Sequence, residues 1–213
     1  EITKEHARET NLVFVTSSLT IIGASRTECI VIGGFASTKK EVHLNIKTMT
    51  IRDSLLGGVG GNYIASLHLE NLFIDQCGVG VLIANIKEST MQNCEITNSR
   101  SSGVNLISGK LIITGRFNLI RNNCQNGDRN DFGLQADSGG HIEIQSPTTN
   151  ILELMCTKNG GAGNYGGVGK IKQVFCIGKE SKTPWEEPFH ERQCYICKEF
   201  QNDTNTMSMC GGC

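Results

Sequence analysis

The sequence predicts an all-β fold, a right-handed parallel β-helix of about six to seven coils with a small cysteine-rich segment on its C-terminal side. Three observations support this prediction. Short apolar runs alternate with turn residues along most of the chain, and their apolar pattern recurs about every 22 residues. The last four cysteines form two Cys-x2-Cys pairs.

The composition is typical of a β-rich chain with frequent turns. Among 213 residues there are 25 glycines and only 3 prolines, and the short apolar runs are separated by Gly, Asn and Ser. No segment sustains helical periodicity between caps, which argues against a helical protein. The length suffices for one elongated domain, or for one domain with a small added module.

A recurring apolar pattern defines the predicted coils. From Leu44 to Ile51, apolar residues stand at the first, third, sixth and eighth positions, which gives two alternating pairs. Three copies keep this spacing and place these residues inward: Leu44, Ile46, Met49, Ile51; Leu67, Leu69, Leu72, Ile74; Ser89, Met91, Cys94, Ile96. A fourth copy has one residue inserted: Leu111, Ile113, Phe117, Leu119. Two weaker copies lie on either side: Leu19, Ile21, Ile30, Ile32; Ile142, Ile144, Leu152, Leu154. A third pair follows in three copies: Val81 and Ile83, Val104 and Leu106, Leu134 and Ala136. Three short strands per period predict one β-helix coil, paired with the next at about 4.8 Å.

Polar or small residues follow the second strand of each central copy, where a coil would turn a corner. These tripeptides span 52–54, 75–77, 97–99 and 121–123. Stacked Asn, Ser and Cys side chains at such a corner can bond the backbone of the neighbouring coil and fix the turn. A β-sandwich also has short strands and Gly-rich turns, but it has no reason to hold one phase over successive copies.

This register resembles the right-handed β-helix repeat proteins of the pectate-lyase-like group, and the stretch LTIIGASRTECIVIGGF resembles their first coils. The resemblance covers roughly residues 12–177 and implies a β-helix domain at 1–178. Two insertions, 122–132 and 159–169, interrupt the repeat. We expect both to form loops that leave the corners, where a scaffold of this kind carries a binding site.

Many proteins of this group cleave acidic polysaccharides, a reaction that needs carboxylates converging on one face. The candidates are Asp53, Asp75, Asp128 and Asp131, with Arg52 or Arg121 as a base. Only Asp53 and Asp75 fall side by side in the register, and the sequence lacks the paired-Asp, Gly-His-Gly and Arg-Ile-Lys signatures of the pectin-cleaving hydrolases. We therefore predict no enzyme. The alternative is a carbohydrate-binding or polysaccharide-cleaving β-helix protein.

The net charge and the remaining reactive residues limit the classes of partner that the sequence predicts. The net charge is -1 without a Lys/Arg run, and no apolar run reaches the length of a membrane span, so we predict neither nucleic-acid nor membrane binding. His43, His68 and His141 stand beside inward residues and are expected to point outward. Cys77 and Cys94 are expected in the core or at turns.

The composition changes at Lys179. Residues 179–193 are charged and carry two of the three prolines, which predicts a linker. The next segment, 194–213, contains Cys194, Cys197, Cys210 and Cys213, spaced Cys-x2-Cys-x12-Cys-x2-Cys. This spacing predicts a zinc site, because each pair presents two thiolates, the soft ligands that zinc accepts in structural sites. The alternative is two disulfides in a secreted chain.

The stretch CYICKEF...MSMCGGC resembles the first half of a MYND zinc finger, whose second half does not occur in this sequence. The resemblance implies two interleaved zinc ions, one shared by Cys194 and Cys197 and one by Cys210 and Cys213, each completed by later ligands. We therefore expect either a truncated finger in a fragment or a single zinc held by the four cysteines. Such fingers bind a protein or a proline-containing peptide. Metal-binding thiols predict an intracellular location, cytoplasmic or nuclear.

Overall fold

The computed structural model describes residues 11–147, 150–178 and 192–194, with the backbone alone described at 176–178 and 192–194. Within these ranges the chain forms seventeen strands and one five-residue helix, which confirms the all-β class. No helix in these ranges is long enough to cross a membrane. The strands are β1 (Leu12–Phe14), β2 (Leu19–Ile22), β3 (Ile30–Ile32), β4 (Gly34–Ser37), β5 (His43–Arg52), β6 (Gly57–Asn62), β7 (Ser66–Asp75), β8 (Val79–Ala84), β9 (Ile86–Gln92), β10 (Glu95–Thr97), β11 (Val104–Thr114), β12 (Leu119–Arg121), β13 (Phe132–Ser146), β14 (Cys156–Thr157), β15 (Gly163–Gly166), β16 (Lys170–Gly178) and β17 (Arg192–Cys194), and the helix is α1 (Ile151–Met155).

Strands β1 to β16 pair in parallel and form three ladders. Ladder A joins β2, β5, β7, β9, β11, β13 and β16. Ladder B joins β3, the second parts of β5 and β7, β10, β12 and β14. Ladder C joins β1, β4, β6, β8, the first parts of β11 and β13, and β15. Each repeat unit thus contributes one stretch of strand to each ladder.

Equivalent residues of successive units are register partners. In ladder A Leu44 lies opposite Leu67, and in ladder B Ile51 lies opposite Ile74. Ladder C confirms the third alternating pair, with Val104 opposite Val81 and Leu134, and Leu106 opposite Ile83 and Ala136. Because side chains alternate between the two faces of a strand, a register that matches apolar residues sends all of them to one side.

The inward residues of all three ladders form a single buried cluster. Leu44 from ladder A, Ile74 from ladder B and Ile83 from ladder C all belong to it and are fully inaccessible to solvent. Burial of a Leu or Ile side chain of this kind contributes roughly 1.5–3 kcal/mol each. The core therefore lies between the ladders, and their outward faces carry the polar side chains.

Bends between the ladders are made by single residues in the left-handed backbone conformation. Between ladders A and B these are Thr48, Asn71 and Asn93, with Gly115 in the next unit; between B and C they are Asp53, Gln76, Asn98, Asn122 and Lys158; between C and A they include Tyr63 and Asn85. The non-glycine members have φ values of 50 to 59°. Asn is common here because its short polar side chain tolerates this conformation better than other L residues do.

The predicted register is wrong in ladder B after Ile96. The sequence pattern predicts Phe117 and Leu119 inward, but Ile120 is the partner of Ile96, and Phe117 is 74% exposed. The unit is longer than its predecessor by two residues, and the buried Asn118 stands beside Cys94. Its Oδ1 accepts the N–H of Cys94 at 3.0 Å, and its Nδ2 donates to the carbonyl of Thr114 at 2.6 Å. These bonds hold the extra residues in place.

The first unit is shifted by one residue in ladder B. The sequence pattern predicts Ile30 and Ile32 inward, but they are 51% and 59% exposed, while Val31 lies opposite Ile51 and packs against the core. In a run of three β-branched residues the apolar pattern alone cannot fix which alternate face is buried. The pairing of β3 with β5 decides it.

The last unit departs from the repeat at two places. The sequence pattern predicts Leu152 and Leu154 on a strand, but they belong to α1, and the partner of Ile120 is Cys156. The predicted loop 159–169 contains strand β15, which pairs with the start of β13. The second difference arises from tertiary pairing, since a glycine-rich segment has little strand preference of its own.

The corrected register makes a direct prediction. We expect Ile120→Ala to lower the free energy of unfolding by roughly 2–5 kcal/mol, because it empties a fully buried position, and Phe117→Ala to change it by less than about 0.5 kcal/mol. Urea denaturation of both full-length variants measures the difference. A larger loss in Phe117→Ala than in Ile120→Ala would favour the register with Phe117 inward.

Candidate functional site

Most of the polar residues that the sequence predicted at the corners lie at the bend between ladders B and C. A buried residue follows each of the first four left-handed residues, and these are Ser54, Cys77, Ser99 and Asn123. The outer side of the bend is exposed and the inner side faces the core. This corner is therefore a column of polar groups attached to a rigid stack.

Two asparagines fix the corner by bonding to neighbouring units. Asn123 Oδ1 accepts the N–H of Ser99 at 3.0 Å, and its Nδ2 donates to the carbonyl of Ile96 at 3.1 Å. Asn159 repeats both bonds one unit on, with Asn123 N–H and the Ile120 carbonyl. The predicted corner bonding is confirmed for Asn. Ser54 and Cys77 instead donate within their own turns, to the carbonyls of Gly57 and Asp75.

A groove of about 340 Å³ runs along the outside of this corner. Its lining residues are Asp53, Ser54, Leu55, Gln76, Asn98, Arg100 and Gln125. Gln76, Arg100 and Gln125 are exposed, and Asp53 Oδ2 accepts from Nε of Arg52 at 2.7 Å. The groove thus presents amides, one carboxylate and one guanidinium to solvent. We call it the corner groove.

The structure separates the four predicted carboxylates into two places. Asp75 lies opposite Arg52, next to Asp53, as the register predicted. It is buried, and its Oδ1 accepts from Thr97 Oγ1 at 2.8 Å and from Asn98 Nδ2 at 2.7 Å.

Asp128 and Asp131 lie in the insertion between β12 and β13. Asp131 accepts from Ser101 Oγ at 2.6 Å, and Asp128 Oδ1 accepts from the backbone N–H of Asn130 at 2.9 Å. The contact of Asp128 stabilises a local turn, and the contact of Asp131 ties the insertion to Ser101 in the preceding unit. The four carboxylates are thus engaged by guanidinium, amide, hydroxyl and backbone N–H donors.

An ion-pair cluster on the outward face of ladder B was not found from the sequence. Glu95 accepts from Arg26 at 3.1 Å and from Arg121 at 2.7 Å, and Arg26 also lies over the ring of Phe73, 5.3 Å from its centre. Arg26 reaches this face from the segment between β2 and β3. No sequence signal joins it to a residue so distant along the chain, although Arg121 and Glu95 stand in adjacent units.

The histidines lie on outward positions, as predicted. Nδ1 of His43 is 2.8 Å from Ser66 Oγ, and Nδ1 of His68 is 2.8 Å from Thr90 Oγ1. Partial burial lowers the pKa of His68, the positive charges of His43 and Lys47 lower it further, and Glu88 opposes this shift. In the described residues these histidines do not meet a group of metal ligands.

Four interior cysteines are buried away from solvent and its reagents. Cys77, Cys94, Cys124 and Cys156 are free and buried, whereas Cys29 is partly exposed. Burial raises the pKa of Cys77 to about 11 and the pKa values of Cys94 and Cys124 to about 12, and it also raises the pKa of Cys156. Since the thiolate is the reactive form, burial and the raised pKa values make these four thiols slow to react. The expected placement of Cys77 and Cys94 is confirmed.

The predicted zinc ligands lie almost wholly outside the described residues. Cys194 closes strand β17, which pairs antiparallel with β16, while Cys197, Cys210 and Cys213 fall in the undescribed part of the chain. Of the predicted linker 179–193, only residues 192 and 193 are described. Within the described ranges no three His, Cys, Asp or Glu side chains are grouped so that they could hold a metal.

Comparisons of this chain with protein-family models, with curated proteins and with solved structures found no match. A function must therefore be inferred from the residues themselves.

The lowered pKa of His68 predicts a pH dependence. Its protonation is disfavoured in the folded chain, so its contribution to stability is complete above about pH 6.5, the unfolded value, and is lost as the pH falls toward the folded pKa. NMR titration of the ring protons should place His68 below about 6.5 in the folded chain, with the urea-unfolded chain as the control. A His68 pKa at or above the unfolded value would contradict this assignment.

Proposed function

We propose that this chain is a modular binding protein, with a right-handed parallel β-helix as scaffold and a zinc-binding segment at residues 194–213. The zinc segment serves protein interaction, and the β-helix serves as a rigid support or ligand-binding surface. The proposal rests above all on the spacing of Cys194, Cys197, Cys210 and Cys213.

The three parallel ladders support the β-helix part of the proposal. They share one core, and the chain passes from ladder A to B to C and back to A in successive units. Connections between parallel strands of one sheet are right-handed in about 98% of cases, because a right-twisted strand packs back on the sheet only in that hand. Among the described residues, ladder A contains seven strands and ladder B six, in keeping with six to seven coils.

The chemistry of the donor set supports the zinc part. Four thiolates in two closely spaced pairs suit zinc, which takes sulfur ligands in tetrahedral structural sites. The segment from Tyr195 onward is short and polar, so a bound zinc would supply folding free energy that a small core cannot. Four thiols of the described part, those of Cys77, Cys94, Cys124 and Cys156, are buried separately and do not compete with the tail cysteines as zinc donors.

The resemblance to the first half of a MYND finger supports a protein or a proline-containing peptide as partner. The high pKa values and burial of the interior cysteines fit a chain that keeps its thiols reduced, and so fit a cytoplasmic or nuclear protein.

Metal analysis tests this function. Full-length chain purified under reducing conditions should carry one zinc per chain. The double variant Cys210→Ser, Cys213→Ser should lose it, because two ligands cannot hold zinc tightly. Cys29→Ser is the matched control, since it removes a partly exposed thiol that is distant in the sequence from the tail cysteines, and it should keep the metal.

Three results would refute the zinc site: a reduced chain without zinc, zinc that stays in the double variant, and zinc that is lost in Cys29→Ser. Elemental analysis by mass spectrometry measures the metal. A thiol count under denaturing conditions shows whether the tail cysteines were still reduced, so that missing ligands are not confused with oxidised ones.

A second candidate function is carbohydrate binding, favoured by the corner groove. Saccharides are recognised by planar amides and charged groups fixed on a rigid surface, and Gln76, Asn98 and Arg100 provide these on successive units. The exposed Arg100 favours an acidic sugar over a neutral one.

Titration with oligosaccharides tests the corner groove. If it binds uronic-acid oligosaccharides, Arg100→Ala should weaken binding by roughly tenfold, the loss expected for one charge-assisted hydrogen bond. Lys87→Ala, which removes an exposed positive charge from strand β9 elsewhere on the surface, should bind as the parent does. Equal weakening by both variants would indicate nonspecific charge attraction, and calorimetry without any heat of binding would exclude this function.

A further inference from the structure

The one antiparallel pairing in the described part of the chain joins β16 to β17. Its three register pairs are Cys176 with Cys194, Ile177 with Gln193, and Gly178 with Arg192. The backbone thus brings together one of the scattered cysteines and the first cysteine of the tail. Cys176 is not part of the Cys-x2-Cys-x12-Cys-x2-Cys pattern of the tail, so the sequence pattern does not predict this pairing.

Directly opposed residues on antiparallel strands have Cα atoms about 4.5 Å or about 5.5 Å apart, depending on whether the pair exchanges hydrogen bonds. Disulfides span Cα separations of about 4.4–6.8 Å. Both kinds of pair fall within that range. The register of β16 and β17 therefore meets the Cα-separation requirement for a disulfide.

The other described cysteines do not compete for such a bond. Cys77, Cys94, Cys124 and Cys156 are buried, and their thiols have raised pKa values, so they react slowly with oxidants. Cys29 is partly exposed but lies on the first described unit, at the opposite end of the ladders from β16.

We propose that Cys176 and Cys194 form a redox-sensitive disulfide site that joins β17 to the last strand of ladder A. The oxidant is a low-molecular-weight disulfide such as oxidised glutathione. The thiolate of one cysteine attacks it, forms a mixed disulfide and releases one glutathione. The thiolate of the second cysteine then attacks the protein sulfur of the mixed disulfide and releases the second glutathione. Two protein thiols are oxidised and one glutathione disulfide is reduced to two thiols.

The site has a consequence for metal binding, and this part rests on the proposed function. Cys194 cannot be a disulfide partner of Cys176 and a zinc thiolate at the same time. Oxidation therefore removes one of the four proposed ligands, and zinc bound by the tail protects Cys194 from oxidation. The two states are alternatives chosen by the redox conditions.

Peptide mapping of the full-length chain tests the disulfide. Metal-free chain is equilibrated in a glutathione buffer of increasing oxidised fraction, free thiols are blocked with N-ethylmaleimide, and the chain is digested with trypsin. The expected product is peptide 173–179 linked to peptide 193–198, with a mass equal to their sum minus two hydrogens plus one N-ethylmaleimide on the remaining thiol of peptide 193–198. It should disappear on reduction with dithiothreitol.

Serine variants assign the bond, because peptide 193–198 contains both Cys194 and Cys197. Cys197→Ser should keep the linked product, and Cys194→Ser and Cys176→Ser should lose it. The proposal would be overturned by a linked product that survives in Cys194→Ser. It would also be overturned if N-ethylmaleimide blocks Cys176 fully at every redox ratio while Cys194 bonds to another cysteine.

The zinc assay separates failure of this inference from failure of the proposed function. Zinc in the reduced chain without any linked peptide on oxidation overturns the disulfide site alone. A linked peptide in a chain that binds no zinc overturns the zinc site alone. If both hold, oxidised glutathione should release zinc from the parent chain faster than from Cys176→Ser.

Discussion

The structure depends on in-register parallel pairing between successive repeat units. Backbone hydrogen bonds set neighbouring units at about 4.8 Å, so each inward side chain must stack on its equivalent in the next unit. Ile51, Ile74, Ile96 and Ile120 form such a row in ladder B, all without solvent exposure. Because a slip of one residue would turn the whole row outward, the apolar row and the register enforce each other.

The bends are the second requirement, since a straight strand cannot pass from one ladder to the next. One left-handed residue per bend changes the chain direction at a cost of roughly 1–2 kcal/mol for an L residue, which Asn reduces. At the corner of ladders B and C, the side chains of Asn123 and Asn159 then satisfy backbone groups of the neighbouring unit. Local strain is thus offset by bonds that exist only in the stack.

The surface chemistry follows from this architecture. A regular stack leaves outward positions free to vary, and so polar groups from different units meet along the corner groove and around Glu95. The same stack isolates its cysteines, because an inward or turn thiol is surrounded by neighbouring units. The cysteine pair that we propose to be redox-sensitive lies at the end of the stack, where β16 meets β17 in the last pairing of the described chain.

The sequence by itself determined the all-β class and the phase of ladders A and C. It also determined the proximity of Asp53 and Asp75 and the outward positions of the histidines. The reason is that a period-2 pattern, repeated at a constant interval, specifies which residues share a face. Tertiary structure alone decided that Ile120 replaces Leu119, that Val31 is the inward residue of β3, and that 151–155 is helical. In ladder B, an insertion or an uninterrupted apolar run lets either of two neighbouring apolar residues face the core as far as the local sequence shows. Only the pairing with the adjacent unit decides which one does. The contacts of Arg26 with Glu95, and the register of Cys176 with Cys194, likewise join segments that no local pattern relates.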